Sequence, residues 1–237
     1  MIPRIIHYCW FGNNSLPSSA LKCISSWEQF LPNFKIIQWN ESNFDVNMTQ
    51  YTAEAYKMQK YAFVSDYARF WILYHYGGLY FDTDVQIVKS LDSIIMRGAF
   101  MGREEGTNGK VAPGLGLGVQ PHHSLYRELL DKYSLLHFIN NDGKLNQKTI
   151  VDYTTEVLMN RGLILEDILQ VIDGITIYPS EYMCPMDSTS GIIRMTPNTV
   201  TIHHYDCSWL DHKSIRWQLH LLKNSVNRLL YFFRLKR

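Results

Sequence analysis

Residues 64–84 of this 237-residue chain read VSDYARFWILYHYGGLYFDTD and decide its fold class. The polar residues between positions 61 and 74, tyrosines aside, are Ser65, Asp66 and Arg69. A helix that is apolar on nearly all sides is a buried one, so we predict a buried helix over residues 60–76. Two glycines follow it, and glycine is the residue best suited to a left-handed helix cap. The stretch therefore predicts a core helix that leads through a sharp turn into the next element.

The next element carries two aspartates. Residues 79–88 (LYFDTDVQIV) alternate with period two, which predicts one strand with Asp82 and Asp84 on the same side and their Cα atoms roughly 6.5–7 Å apart. Adjacent carboxylates repel each other unless a cation lies between or beside them. Hard oxygen ligands suit Mn²⁺ or Mg²⁺, and a diphosphate completes such a coordination sphere. By itself the DxD pattern is also compatible with two solvated loop acids.

The buried helix carries a charged pair. Asp66 and Arg69 are three residues apart, so they share a helix face. An internal salt bridge is one interpretation of the pair. Desolvation offsets most of the attraction between buried charges, so stability alone is a weak reason to bury them. A ligand-binding role is the alternative.

The predicted strands and helices on either side of residues 64–84 indicate one α/β domain. Residues 2–11 and 34–39 are expected strands, and a helix that begins near Pro17 joins them, as in a parallel sheet. Further predicted strands cover residues 99–102, 115–120, 175–178 and 200–204, and further helices cover 124–138 and 149–160. We predict that this domain covers residues 1–211 and that an appended segment covers residues 212–237.

Charge is distributed unevenly along the chain. The formal net charge is +1, from 23 Lys and Arg against 22 Asp and Glu, but residues 213–237 hold seven basic residues and no acid. A predicted helix over 213–235 has a wide apolar face and a cationic face, which is typical of a helix lying on an anionic membrane surface. Packing against the acidic remainder of the chain is the alternative. The acidic body disfavours nucleic acid as a partner.

Composition excludes other classes. With 46% apolar and 14% aromatic residues the chain is typical of globular proteins and unlike disordered or collagenous ones. Its four cysteines form no CxxC pair, so we expect neither a disulfide framework nor a thiolate zinc site, and a reducing compartment. We also expect no signal peptide and no bilayer-spanning segment.

Three separated blocks carry a family resemblance. Residues 64–84 closely resemble the DXD-containing sugar-binding region of glycosyltransferase family 32. IPRIIHYCWFG at 2–12 and IHHYDCSW at 202–209 are similar to the family's first and last conserved blocks. The resemblance implies a GT-A type, Rossmann-like α/β fold with a mostly parallel central sheet. It also implies a hexosyltransferase that moves a sugar from a nucleotide-sugar donor to a hydroxyl, with retention, in bacterial surface or capsular polysaccharide synthesis.

The resemblance assigns donor-binding roles. Trp10 matches the tryptophan that stacks on the nucleotide base, and Tyr80 would contact the ribose. The SDxxR motif of the family, which binds the sugar hydroxyls and the sugar-phosphate end, is matched here from Ser65 to Arg69. The full implied donor-binding set is Trp10, Ser65, Asp66, Arg69, Tyr80 and Asp82. Loops near residues 114–116 and 178–182 are expected to discriminate between donor sugars.

The resemblance also implies a metal site for Mn²⁺ or Mg²⁺. Asp84 would be the direct ligand, Asp82 would act through water, and His204 takes the late ligand position five residues before Trp209. The family's second late ligand, a serine in related toxins, falls on Cys207, so the sequence departs from the pattern there. Trp209 would donate its indole N–H to the leaving phosphate or the glycosidic oxygen. The implied catalytic set is Asp82, Asp84, Arg69 and Trp209.

Partners follow from the same resemblance. We expect a UDP-sugar, with a GDP-sugar as second choice, and a glycan or lipid-linked oligosaccharide acceptor at the cytoplasmic face of the cell membrane. Two alternatives stay open. A phosphatase of the haloacid dehalogenase type also places a DxD after an apolar strand, and a non-catalytic nucleotide-sugar-binding membrane scaffold would carry the same binding residues.

Overall fold

A computed structural model describes residues 1–206 of the chain. Seven strands form its central sheet, in the spatial order β2 (Lys35–Trp39), β1 (Ile5–Cys9), β3 (Gly78–Tyr80), β6 (Leu117–Val119), β5 (Phe100–Gly102), β8 (Ile175–Tyr178) and β7 (Gln170–Ile172). Pairings β1/β2, β1/β3 and β5/β8 are parallel, and β6 and β7 are antiparallel to their neighbours. Five of these seven strands therefore run in one direction, as the mostly parallel sheet of the predicted fold requires.

Helices cover both faces of the sheet. They are α1 (Ser18–Phe30), α2 (Gln50–Lys57), α3 (Tyr61–Tyr76), α4 (Asp92–Arg97), α5 (Ser124–Ser134), α6 (Ile150–Met159) and α7 (Ser180–Met183). Successive strand residues enter different hydrophobic clusters: Leu79 packs in the cluster of α1 and α4, and Tyr80 in that of α3, α5 and α6. Because strand side chains alternate between faces, the core consists of two layers separated by the sheet.

Predicted elements α1, α3, α5 and α6 are confirmed to within a few residues, whereas α2, α4, α7 and β7 were not predicted. None of the helices within residues 1–206 combines the length and the apolarity that a bilayer-spanning segment needs. The predicted basic helix and the proposed boundary at residue 211 lie outside the described residues.

The turn between α3 and β3 requires glycine. Gly77 has φ 61°, and a Cβ there would lie 2.7 Å from the Pro121 ring, so both backbone conformation and space require glycine. The buried His7 ring in β1 bonds the Gly77 carbonyl through Nε2 at 3.0 Å, while its Nδ1 accepts from the Trp39 indole at 3.1 Å. Burial lowers the pKa of His7 to about 4, so the ring is neutral and holds this turn as an uncharged link.

The segment 79–88 is not one strand. β3 ends at Tyr80, and β4 (Val85–Ile87) pairs antiparallel with β9 (Thr201–His203) in a separate two-stranded sheet. Between them the Val85 amide donates to the Asp82 carbonyl at 3.1 Å, which closes a turn. The prediction that both carboxylates project from one extended strand is therefore wrong. The Trp27 indole on α1 donates to the Val85 carbonyl at 2.7 Å, a long-range bond that local alternation does not encode.

Candidate functional site

A buried guanidinium organises the first half of the site. Arg69, whose side chain is 4% exposed, donates to Asp66 Oδ1 at 2.9 Å and to Asp82 Oδ2 at 3.3 Å. Its Nε donates to the Ser65 carbonyl at 3.2 Å, and its Cζ lies 4.9 Å from the centroid of the Tyr80 ring. The predicted buried pair is confirmed. It is extended by Asp82, which the turn after β3 directs onto the same guanidinium.

The charges of this cluster do not balance. Two carboxylates share one guanidinium, and Asp82 is 30% exposed where Asp66 is 11% exposed. Burial raises the pKa of Asp66 against the opposing charge of Arg69. For Arg69, burial acts to lower the pKa, but the nearby Asp82 and Asp66 carboxylates outweigh it and raise the pKa. The cluster therefore presents a permanent cation and, on its exposed side, a carboxylate that can accept hydrogen bonds from a ligand.

A glycine loop presses against Asp82. The Asp82 amide donates to the Gly114 carbonyl at 3.1 Å, and the Tyr80 hydroxyl donates to Asp82 Oδ1 at 3.1 Å. A Cβ on Gly114 would lie 2.1 Å from Asp82 Oδ2, closer than two such atoms can approach. The connection between β5 and β6 is therefore part of the site. Its composition, APGLGLG over residues 112–118, was the signal available in the sequence.

The second half of the site surrounds Asp84. Pairing of Val85 with His203 across β4 and β9 brings the His203 Nε2 to 3.2 Å from Asp84 Oδ1. The Asp206 amide donates to Asp84 Oδ2 at 3.1 Å, and the His204 amide donates to the Asp84 carbonyl at 3.0 Å. Residues more than a hundred positions apart thus fix this carboxylate in one orientation.

Asp84 and His203 form a buried ion pair. Burial disfavours the imidazolium, but the charge and the hydrogen bond of Asp84 outweigh it and hold the pKa of His203 well above its ordinary value. Burial likewise acts to raise the pKa of Asp84, and His203 together with the Asp206 amide brings that pKa below its usual range. Asp84 is consequently an ionised carboxylate under neutral conditions, which is the protonation state that a metal ligand requires.

The two adjacent histidines have different partners. Sequence reasoning selected His204 as the late ligand, whereas the imidazole that contacts the Asp84 carboxylate belongs to His203. His204 Nε2 lies 2.9 Å from Gln86 Oε1, and burial lowers its pKa, so that ring is a neutral imidazole. The register of β9 against β4, which pairs Val85 with His203, decides between the two rings, and no local pattern encodes it. The ligand role of His204 stays a prediction.

The carboxylate oxygens available at this site suit a metal ion that binds together with its substrate. Within residues 1–206 no three His, Cys, Asp or Glu side chains gather into a metal cage. Asp82 and Asp84 do supply hard carboxylate oxygens at the two ends of one turn. Mg²⁺ is commonly held by one or two carboxylates plus substrate phosphates and water, and Mn²⁺ accepts the same oxygen ligands. The residues present therefore suit a metal–diphosphate complex rather than a metal bound by protein alone.

Trp10 follows β1 at the same edge of the sheet. Its amide donates to the Trp39 carbonyl at 2.9 Å, and its half-buried indole donates to the Asn14 carbonyl at 2.8 Å. Because β1 and β3 are parallel, Trp10 and Asp82 both lie beyond carboxyl ends of strands, where open α/β sheets bind ligands. Cys207 and Trp209 lie outside the described residues, so their predicted roles stay predictions.

A chain of contacts extends the Asp84 cluster. The Tyr205 ring lies 4.1 Å, centroid to centroid, from the ring of His203. The Tyr205 hydroxyl donates to Glu104 Oε1 at 3.2 Å and lies 3.0 Å from the Cys184 sulfur. Sequence reasoning missed Glu104, which lies in no recognisable motif, and gave no role to Tyr205, although Tyr205 lies within the block at 202–209. The contacts link Asp84 to the loop that follows β5.

Known protein sequences that match this chain are glycosyltransferases. Residues 17–101 match the family described as "Glycosyltransferase sugar-binding region containing DXD motif". Inositol phosphoceramide mannosyltransferase 1 of Schizosaccharomyces pombe is 31% identical over 111 residues, which cover 42% of this chain and 33% of that protein. An uncharacterized glycosyltransferase of Acanthamoeba polyphaga mimivirus is 27% identical over 217 residues, covering 83% and 82% of the two chains. The chain spans about a third of the length of the yeast relatives it matches.

Solved structures share the fold. Mouse xyloside xylosyltransferase 1 superposes with a TM-score of 0.52 at 12% identity, over 89% of this chain and all of that one. The PaToxG glycosyltransferase gives a TM-score of 0.51 at 16% identity, over 67% and 69%. The fold is therefore that of the GT-A glycosyltransferases. Residues 17–101 match a DXD-containing glycosyltransferase sugar-binding region, which confirms the resemblance predicted from the sequence.

Proposed function

We propose that this chain is a metal-dependent enzyme that transfers a sugar from a nucleotide-sugar donor to a hydroxyl of a glycan or lipid-linked acceptor. The observation that carries the proposal is the ion pairing of the Arg69 guanidinium with both Asp66 and Asp82. This cluster lies at the carboxyl edge of the sheet, and Asp84 follows it two residues after Asp82. A matched DXD region contains all four residues. Paired carboxylates beside a fixed cation suit a ligand with both hydroxyls and a phosphate.

The chain's own side chains can bind both ends of such a donor. Ionised carboxylates accept hydrogen bonds, so the partly exposed Asp82 can receive sugar hydroxyls. Arg69 has five N–H donors, and three protein oxygens occupy three of them, which leaves two for the sugar phosphate. Trp10 provides an apolar ring for the base. These groups would contact the sugar hydroxyls, the sugar phosphate and the base of the donor.

Bond cleavage develops charge that the site is suited to stabilise. Breaking the sugar–phosphate bond leaves a diphosphate and an oxocarbenium-like sugar. A Mn²⁺ or Mg²⁺ ion held by Asp84, by Asp82 through water and by His204 would neutralise the leaving diphosphate. Arg69 and Trp209 would add cationic and N–H stabilisation. We include retention of configuration in the proposal, with the acceptor hydroxyl attacking from the face that the diphosphate leaves.

A donor panel tests the proposal. UDP- and GDP-sugars are mixed with the protein and Mn²⁺, and thermal shift and donor hydrolysis are measured. Mannosyl donors belong in the panel because the yeast relatives are named mannosyltransferases. One nucleotide sugar should raise the melting temperature and be hydrolysed. A phosphoaspartate trapped on Asp82 would instead favour the phosphatase, and donor binding without hydrolysis or transfer would favour the scaffold.

Gly114→Ala tests the role of the glycine loop. The new Cβ must displace Asp82, and displacements of about 1 Å in an active site cost on the order of 100-fold in rate. We expect donor hydrolysis to fall by about that factor while the protein stays folded. Gly143→Ala is the matched control, because nothing lies within 4 Å of its Cβ position. Because Gly143 has a φ of 77°, the alanine should lower the free energy of unfolding by about 1–2 kcal/mol. The rate of donor hydrolysis should not change. Equal rates for the two variants would contradict the assignment.

We also propose that the basic segment 212–237 holds the enzyme at the cytoplasmic, anionic face of a membrane, in bacterial surface polysaccharide synthesis. The support is its charge, seven basic residues and no acid over 213–237. Truncation after Asp211 should abolish co-sedimentation with anionic liposomes. The full chain should not co-sediment with neutral liposomes. Unchanged co-sedimentation of the truncated protein would refute this location.

A further inference from the structure

Tyr205 has a strained backbone conformation in the turn that follows β9. Its φ is 51°, in the left-handed region that a residue with a bulky side chain rarely adopts. Such a conformation is less stable than an extended or helical one, and it persists only where contacts with the surrounding structure hold it. Strained residues of this kind cluster at binding and catalytic sites, so the contacts of Tyr205 indicate what the strain serves.

The chain on either side of Tyr205 binds one aspartate. The His204 amide, just before it, donates to the Asp84 carbonyl at 3.0 Å. The Asp206 amide, just after it, donates to Asp84 Oδ2 at 3.1 Å. The Nε2 atom of His203 lies 3.2 Å from the other carboxylate oxygen, Oδ1. Residues within two positions of Tyr205 therefore orient both oxygens of the Asp84 carboxylate.

Three parts of the chain hold the Tyr205 side chain. Its ring lies 4.1 Å, centroid to centroid, from the His203 ring in β9. Its hydroxyl donates to Glu104 Oε1 at 3.2 Å, in the loop after β5, and lies 3.0 Å from the sulfur of Cys184, which directly follows α7. The ring and the hydroxyl are thus both used inside the protein. These contacts can stabilise a backbone conformation that tyrosine by itself disfavours.

We infer that Tyr205 is a positioning residue for Asp84, the carboxylate proposed to hold the metal. The inference rests on the proposed function. The Tyr205 side chain holds the turn, and the turn holds the amide and the imidazole that orient the carboxylate. Mg²⁺ demands a near-ideal octahedral arrangement of its ligands, so the direction of a ligating carboxylate matters. Tyr205 therefore acts on metal binding through Asp84, without touching metal or donor.

Calorimetric titration of Mn²⁺ into the full-length protein, with saturating UDP or GDP and no sugar donor, tests the inference without turnover. Tyr205→Gly suits the positive φ but removes every side-chain contact. It should raise the Kd for Mn²⁺ about 10- to 100-fold, the range found when groups that orient metal ligands are removed. Tyr205→Phe keeps the ring on His203 and loses the bond to Glu104, so its increase should be smaller.

Tyr153→Phe is the matched control. It too removes the hydroxyl of a buried tyrosine that is hydrogen-bonded, to Asn146 at 3.0 Å, and whose ring packs on another ring, that of Tyr133 at 5.3 Å. Its Kd for Mn²⁺ should equal that of the wild type. Glu104→Ala should reproduce the effect of Tyr205→Phe, and the double variant should be no weaker than either one, because both changes remove the same bond.

Donor hydrolysis separates positioning from substrate contact. When Mn²⁺ is raised until it saturates each variant, Tyr205→Gly should regain most of the wild-type kcat, and its KM for the donor should not change. A raised donor KM under these conditions would mark Tyr205 as a substrate contact and overturn the inference.

Two further results would overturn it. They are an unchanged Kd for Mn²⁺ in Tyr205→Gly and fully additive effects of Tyr205→Phe and Glu104→Ala. Circular dichroism shows whether each variant is folded, and if the glycine variant is not, the phenylalanine variant and the double variant decide the question. Absence of Mn²⁺-dependent nucleotide binding in the wild type would instead overturn the proposed function, and the role of Tyr205 with it.

Discussion

Asp84→Asn is expected to lower donor hydrolysis and sugar transfer about 1,000-fold, the scale on which loss of a fixed charge-stabilising group slows an enzyme. The amide oxygen can still accept from the Asp206 amide, and His203, which loses the charge that raises its pKa, can become a neutral imidazole rather than a stranded cation. The lost charge is the one proposed to hold the metal and the diphosphate. Single-turnover donor hydrolysis with saturating Mn²⁺ measures the effect on the chemical step.

The control for this variant makes the same chemical change elsewhere. Asp131→Asn alters an exposed carboxylate that pairs with Arg127 on α5, far along the chain from the DXD turn. It should keep the wild-type rate, and circular dichroism should show both variants folded. If Asp84→Asn hydrolysed the donor within a factor of three of the control, the assignment of Asp84 would be wrong.

Arg69→Met is expected to destabilise the fold by about 3–5 kcal/mol, because removal of one partner from a buried ion pair leaves uncompensated charge. Two carboxylates, Asp66 and Asp82, would lose their common cation. Methionine keeps much of the length and apolar stem of arginine, so the cavity that it leaves is small. Urea denaturation gives the free energy of unfolding of each protein.

Two comparisons isolate the charge effect. Arg127→Met removes an exposed arginine, 61% accessible, and should leave the free energy of unfolding close to that of the wild type. Adding Asp66→Asn to Arg69→Met removes one stranded carboxylate and should restore part of the lost stability. A cost at Arg69 no larger than at Arg127, or no recovery in the double variant, would contradict the buried-charge account.

Local features of the site were predictable from the sequence. The mostly apolar run before two glycines predicted α3 and its end, and the spacing of Asp66 and Arg69 placed both charges on one buried face. These features depend on neighbours within one helical turn. The strand–helix–strand opening was predictable for the same reason, since β-branched runs, a proline start and a proline stop are local signals.

Other features depend on distant contacts and were not predictable. Alternation suggested a single strand through the two aspartates, but bonds from α1 turn the chain after β3, so Asp82 meets Arg69 while Asp84 meets His203. Choosing between His203 and His204 required the register of β9 against β4. The buried Arg103 donates to the Ile164 and Ile168 carbonyls and so joins two loops some sixty residues apart, which no local pattern encodes.

The central claim is that a divalent metal and this DXD turn bind a nucleoside diphosphate together. Calorimetric titration of UDP and of GDP into the wild-type protein, with Mn²⁺ and then with EDTA, measures it most directly. We predict that Mn²⁺ tightens the binding of one of the two nucleotides by about tenfold or more, and that Asp84→Asn removes this gain. Equal affinity with and without metal, or a gain that survives in Asp84→Asn, would contradict the account.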